Sequence, residues 1–171
     1  MFVDEAGFYL LPAAVATYAP VGQTPVLHEK LTRDHLSAIS AVTPEGLLRM
    51  QVSAEAITGA EVVRFLEHLP RSLPGGKFTI YWDGAPIHRG RAVQQFLALA
   101  PPGQFQVEPL PGYAPDLNPD EGVWDHLKNG DLANVSCLDL RGLRIAIRGA
   151  TRRLQHHPEV VRGFFREAGY G

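Results

Sequence analysis

Asp4, Asp83 and Glu121 lie far apart in the chain, yet each stands where a strand ends or a helix begins. Residues 1–3 read as a very short strand running into Asp4 and Glu5. Residues 77–82, KFTIYW, are a β-branched and aromatic run that ends at Asp83. If those strands are parallel neighbours, both aspartates reach the carboxyl edge of the sheet, where ligands of open α/β sheets bind. Glu121 opens a helix after the following strand and can reach the same edge. Two carboxylates about 5 Å apart repel by roughly 3 kcal/mol at an effective dielectric of 20, so three do not all stay ionised unaided. Either one holds a proton or a cation sits among them. Oxygen ligands alone select a hard ion, Mg²⁺ with Mn²⁺ as substitute. Two such ions roughly 4 Å apart can activate a water or hydroxyl and stabilise the leaving oxygen of an in-line displacement.

The segment that must aim Glu121 is residues 110–128, LPGYAPDLNPDEGVWDHLK. Pro111, Pro115 and Pro119 each hold φ and push the preceding residue towards extended backbone, so the turn has few conformations. Asn118 is a good N-cap and Pro119 suits the first helical position. Asp120 and Glu121 follow in the first turn, where the helix dipole favours negative charge. Glu121, Trp124 and Lys128 share a helix face. A simpler reading stays open: Asn118 and Glu121 have capping-box spacing, in which Glu121 would only accept from the Asn118 N–H.

The remaining elements follow from periodicity. Residues 12–25 are rich in Pro, Gly, Ala and Thr and form an irregular connection. Residues 35–42 and 47–54 flank the turn tetrapeptide 43–46, TPEG, and predict a β-hairpin. Residues 59–69 carry apolar positions at helical spacing and are stopped by Pro70 and Pro74. A short helix around Val93 to Leu99 and a strand over 105–110 precede the motif. A long helix over 138–157 and a last one from Pro158 through Phe165 complete the chain. The order β-β-β-α-β-α-β-α-α-α predicts an α/β domain with a five-stranded mixed sheet, an antiparallel hairpin beside parallel strands, flanked by helices.

Composition narrows the classes. At 171 residues and 45% apolar, the chain is one domain over 1–171 with enough length for a real core. A net charge of −2 gives no sign of a strongly basic nucleic-acid binder, although thirteen of the sixteen basic residues are arginine. One cysteine, Cys137, excludes an intrachain disulfide and suits a reducing compartment. No export signal or membrane-length apolar run is present, which points to the cytoplasm.

Four segments, FVDEAGF at 2–8, GQTP at 22–25, YWDGAPIH at 81–88 and the 110–128 motif, occur in an order and context that resemble one known family. The chain resembles the catalytic domain of bacterial insertion-sequence transposases of the mariner-like DDE superfamily. That resemblance implies a ribonuclease H-like, retroviral-integrase-like fold. It also implies a metal-ligand triad of Asp4, Asp83 and Glu121, with 37 residues between the last two. The implied activity is phosphodiester hydrolysis at transposon ends, then strand transfer of the 3′-hydroxyl into target DNA, with Mg²⁺ or Mn²⁺ and two ions. The implied partners are DNA, a second copy of the chain as a homodimer, and a helix-turn-helix protein from an upstream frame. The last follows because the family's helix-turn-helix region is absent from this sequence. Two further departures are Gly84, where the family often has Asn, and the three residues before Asp4, a clipped first strand.

Other residues are candidates for DNA contact. His88 could orient a phosphate or brace its loop, and Lys128 could reach a phosphate or stay solvated. Trp124 is either core or a stacking platform. Arg141, Arg144, Arg148 and Arg152 recur along one side of the long helix, opposite Leu143, Ile147, Ala150 and Leu154. That basic stripe suits a DNA backbone or, alternatively, only solvent. Glu5 should point to the face of the sheet opposite Asp4. The competing functions are a non-catalytic, DNA-associated or oligomerising remnant and another ribonuclease H-like nuclease.

Overall fold

Alternation along the first strand decides what each face of the sheet does. β1 runs Phe2–Tyr9, with Phe2, Asp4, Ala6 and Phe8 on one face and Val3, Glu5 and Gly7 on the other. This corrects the expectation of a clipped strand: Asp4 is in mid-strand, not at its end. All eight residues pair antiparallel with β2 (His35–Val42), from Phe2 opposite Val42 to Tyr9 opposite His35. The two acids interrupt the apolar pattern without ending the strand, because both carboxylates meet hydrogen-bonding partners on their own faces. The computed structural model describes residues 1–171 except Pro12, Pro25, 27–31 and Tyr113. Both ends of the irregular connection, the proline of GQTP and one tyrosine of the 110–128 motif therefore lie outside the described residues.

The hairpin forms as the turn tetrapeptide predicts, with β3 spanning Leu48–Ser53 and Gly46 at φ +90° in the turn. β4 (Phe78–Trp82) lies parallel to β1, and β5 (Phe105–Pro109) parallel to β4, for a strand order β3-β2-β1-β4-β5. This is the expected five-stranded mixed sheet. The β1–β4 ladder is short: Phe2 pairs with Tyr81, and the Tyr81 N–H donates to the Met1 carbonyl.

Helices cover both faces. α1 (Gly59–Ser72) and α2 (Arg91–Leu99) lie over Val3, Ile39, Ala41, Ile80 and Trp82. Pro70 sits within α1 rather than stopping it. The N–H it lacks is forgone in the last turn, which Leu73 closes by donating to the Leu69 carbonyl. α3 (Pro119–Asp125), α4 (Leu140–Gln155) and α5 (Pro158–Glu167) cover Phe2, Phe8, Leu36, Ala38 and Val42. α3 runs into a π-helical turn, His126–Asp131. The apolar stripe of α4 is buried as expected, and the helix begins at an Asp139 cap that accepts from the Gly142 N–H. Among the described residues, no helix is long and apolar enough to cross a membrane.

Gly122 of α3 packs directly against Phe164 of α5. A Cβ there would lie 2.7–2.9 Å from three atoms of Phe164, including its Cβ, so rotating the ring does not relieve the contact. Alanine gains about 1 kcal/mol of helix propensity over glycine. Overpacking costs typically about 1–3 kcal/mol, here towards the upper end because two helices must part. Gly122→Ala is therefore expected to lower the midpoint of thermal unfolding, whereas Gly130→Ala, with nothing within 4 Å, should not do so through packing.

Candidate active site

Asp4 accepts three hydrogen bonds. Its Oδ2 accepts from Asn118 Nδ2 at 2.9 Å and from Trp124 Nε1 at 3.2 Å, and its Oδ1 accepts from the Glu5 N–H at 2.8 Å. Asn118 works in two directions, because its Oδ1 also accepts from the Asp120 N–H at the start of α3. One side chain thus caps the helix and ties it to β1. Trp124 is buried among apolar neighbours, as a core residue would be, but its indole N–H is spent on Asp4. The capping box is not formed: the Asn118 N–H donates to the Pro115 carbonyl. Glu121 is left exposed at the surface of the first turn.

Three donors would ordinarily hold a carboxyl in its charged form. Here burial outweighs them, aided by the charges of Glu121 and Glu5, and Asp4 is pushed up from 3.8 to about 6. Directly across the β1–β2 ladder from Asp4 stands Ser40, whose hydroxyl donates to Asp120 Oδ1 at 2.6 Å. Asp120 is 0% exposed, and its Oδ2 has no partner among the described residues. Burial and then the charge of Asp4 push it well above the usual carboxylate range, against the Ser40 bond. Sequence reading passed over Asp120, and the only signal was an acid at a position where the helix turns inward.

Asp83 follows the last residue of β4, two places beyond the Phe2–Tyr81 pair as Asp4 is on β1. Its side chain is 59% exposed. Oδ1 accepts from the Ala85 N–H at 2.8 Å and lies 3.1 Å from His88 Nδ1. His88 itself is 1% exposed and stacks on Trp82 with ring centroids 4.4 Å apart. Its Nε2 lies 3.0 Å from Glu5 Oε1, which confirms Glu5 on the face opposite Asp4. Burial pulls the imidazole down, but the bond to Glu5, then its charge and that of the Asp83 end, prevail and hold it above its ordinary value. His88 is thus a buried ring whose two nitrogens both face protein oxygens, the loop-bracing arrangement.

Asp4 is packed against the start of α3, which bears Glu121, and Asp83 follows the strand parallel to β1. Asp4 feels the charge of Glu121, while Asp83 is held by its own loop. Among the described residues no group of three His, Cys, Asp or Glu is arranged to hold a metal ion. The chemistry of the proposed donors nevertheless suits a hard divalent cation: they are carboxylate oxygens only, and Asp4 is destabilised in its charged form.

The remaining candidates lie elsewhere. Lys128 is partly buried, with Nζ 5.5 Å from the centroid of the Phe8 ring. Arg144 donates from Nη1 to the Val52 carbonyl, and Gln155 from Nε2 to that of Leu48, so α4 covers backbone acceptors of the edge strand β3. Arg144 thus braces the sheet edge. Arg141, Arg148 and Arg152 are exposed.

A family model described as DDE superfamily endonuclease matches residues 1–144. No curated protein matches the chain. Among solved structures, the chain is similar to the mariner Mos1 transposase paired-end complex with Mg, with a TM-score of 0.70 and 18% identity. That match covers 98% of this chain and 52% of the other. It is also similar to the catalytic domain of Mos1 mariner transposase, with a TM-score of 0.60 and 17% identity over 98% of this chain and 82% of that one. The Mos1 strand transfer complex matches at a TM-score of 0.62 and 19% identity, over 99% and 55%. This chain thus spans about half the length of the Mos1 chains in the two complexes. At such identities the likeness establishes the fold, which is ribonuclease H-like as the motifs implied.

The raised Asp4 carboxyl has a pH signature in protein without metal. Below pH 3.8 both folded and unfolded forms are protonated, and Asp4 makes no difference. As pH rises through that value the unfolded chain loses its proton first, so stability falls until about pH 6 and is then level. A shift of this size corresponds to about 3 kcal/mol. Asp4→Asn is expected to remove that share. Urea unfolding at pH 4 and pH 7 should show a smaller drop in the variant than in the parent.

Proposed function

Because the chain belongs to the DDE superfamily endonucleases, we propose that it is the catalytic domain of a mariner-like transposase. In this reading it hydrolyses phosphodiesters at transposon ends and transfers the freed 3′-hydroxyl to target DNA. The observation that carries it is the docking of the 110–128 motif on β1, where Asn118 and Trp124 hold Asp4 beside the helix turn that bears Glu121. Asp4, Asp83 and Glu121 would hold Mg²⁺ or Mn²⁺, and two ions would supply an activated nucleophile and charge stabilisation at the phosphate. The Mos1 structures to which the chain is similar include complexes with Mg, with Mn and with transposon-end DNA.

The protein's own contribution is geometric and electrostatic. Asn118 and Trp124 fix the Asp4 carboxylate so that little reorganisation is needed when a cation replaces the proton its burial favours. Glu121 and Asp83 are exposed and so present oxygens to solvent and to an incoming phosphate. A homodimer and a helix-turn-helix partner belong to the same proposal, since two DNA ends must be recognised and joined.

DNA backbone contact is assigned to Arg148 and Arg152. They line a groove of about 490 Å³ beside β3, together with Arg49, His68, Gln51 and Gln155, and no acid lines it. Replacing both arginines by alanine should weaken binding of a random duplex. It should also lower the salt slope by about 2, at roughly 0.9 per phosphate lost. An unchanged slope removes the groove from the DNA path.

The metal reading is tested by thermal unfolding with Mn²⁺. At about 100 times its Kd, an ion bound only by folded protein adds about 2.7 kcal/mol. For a chain of this size that is a rise of about 5–10 °C. Asp4→Asn, Asp83→Asn and Glu121→Gln should each abolish the rise. A parent protein that Mn²⁺ does not stabilise sinks the catalytic reading and leaves a fold without turnover.

A further inference from the structure

Backbone pairing between the two strands that carry the aspartates stops before it reaches them. Phe2 and Tyr81 are the paired residues of β1 and β4, and Asp4 and Asp83 stand two places further on. Nothing in the ladder therefore fixes one carboxylate against the other. The connection is made by side chains on the opposite face of the sheet. Glu5, next to Asp4 on β1, has Oε1 3.0 Å from His88 Nε2, and His88 Nδ1 lies 3.1 Å from Asp83 Oδ1 and 3.2 Å from the Asp83 carbonyl. These partners are all acceptors, so each ring nitrogen of His88 faces an oxygen and the imidazole spans from β1 to the end of β4.

The bridge is built to be rigid. The His88 ring is 1% exposed and lies 7° from parallel with the Trp82 ring, and the Glu5 side chain is 16% exposed. Only one oxygen of Asp83 is used. Oδ1 accepts from the Ala85 N–H and lies 3.1 Å from the imidazole, which hydrogen-bonds the Asp83 carbonyl, while Oδ2 makes no hydrogen bond among the described residues on a side chain that is 59% exposed. We infer that Glu5 and His88 are positioning residues: they lock Asp83 from behind the sheet, set its distance from Asp4, and leave Oδ2 directed to an incoming cation. Neither residue touches the ion. The inference rests on the proposed metal role of Asp4 and Asp83, and the test separates the two.

The measurement is Mn²⁺ affinity by titration calorimetry on the full chain, with the unfolding midpoint recorded for each variant. Asp83→Asn reports on the metal site itself. His88→Phe keeps an aromatic ring to stack on Trp82 but has no nitrogen. Glu5→Ala removes the acceptor, whereas Glu5→Gln loses the same charge and retains an oxygen for Nε2. Loss of an outer partner of a metal ligand typically costs 10–100-fold in affinity. His88→Phe and Glu5→Ala are expected to bind Mn²⁺ about 10-fold more weakly, and Glu5→Gln to stay within about threefold of the parent. If Asp83→Asn weakens Mn²⁺ while His88→Phe and Glu5→Ala leave it unchanged, the bridge serves only folding and the positioning role is overturned. If Asp83→Asn itself binds as the parent does, the metal assignment fails instead. Should His88→Phe not fold, the difference between Glu5→Ala and Glu5→Gln decides: equal affinities overturn the inference.

Discussion

A carboxylate placed in the middle of a covered strand is the constraint around which this protein is organised. Asp4 occupies a position that would otherwise be filled by an apolar residue facing α3–α5, as its neighbours Phe2 and Phe8 are. A bare charge there would cost several kcal/mol. The chain answers with three hydrogen bonds, two of them from a single proline-stiffened segment. That segment cannot shift without abandoning Asp4. The docking of α3 and the location of Glu121 are thus consequences of solvating one acid from within the protein.

The two faces of the sheet carry different halves of the task. On the face under α3, the row Asp4–Ser40 runs across the strands and meets Asp120, so two carboxyls share a space with too few donors for both to be charged. On the other face, Glu5 and His88 reach the end of β4 and brace Asp83. Adjacent residues 4 and 5 serve opposite sides because side chains alternate along a strand. The mixed topology matters as well. β1 runs parallel to β4, so its Asp4 and the acid after β4 lie towards the same end.

The basic helix shows how a surface pattern divides once it is packed. Arg144 and Gln155 satisfy carbonyls of the edge strand β3, a device that guards against edge-to-edge pairing. Arg148 and Arg152 stay free for an anionic partner on the groove beside it. A stripe of arginines at helical spacing thus serves both the fold and a proposed contact with DNA.

Local chemistry carried much of this into the sequence. Apolar periodicity and turn residues determined the element order and the hairpin, and three prolines with an N-cap determined that α3 starts after Asn118. These depend on neighbours within a few residues, so they can be read without coordinates. The true length of β1 could not: Asp4 and Glu5 look like a strand end until their partners, Asn118, Trp124 and His88, are seen to come from residues 83 or more positions away. For the same reason a histidine that sequence alone would offer to DNA is buried, and the first-turn acid Asp120 is fully enclosed. Burial and long-range hydrogen bonds set the state of an ionisable group, and both exist only once distant segments pack together.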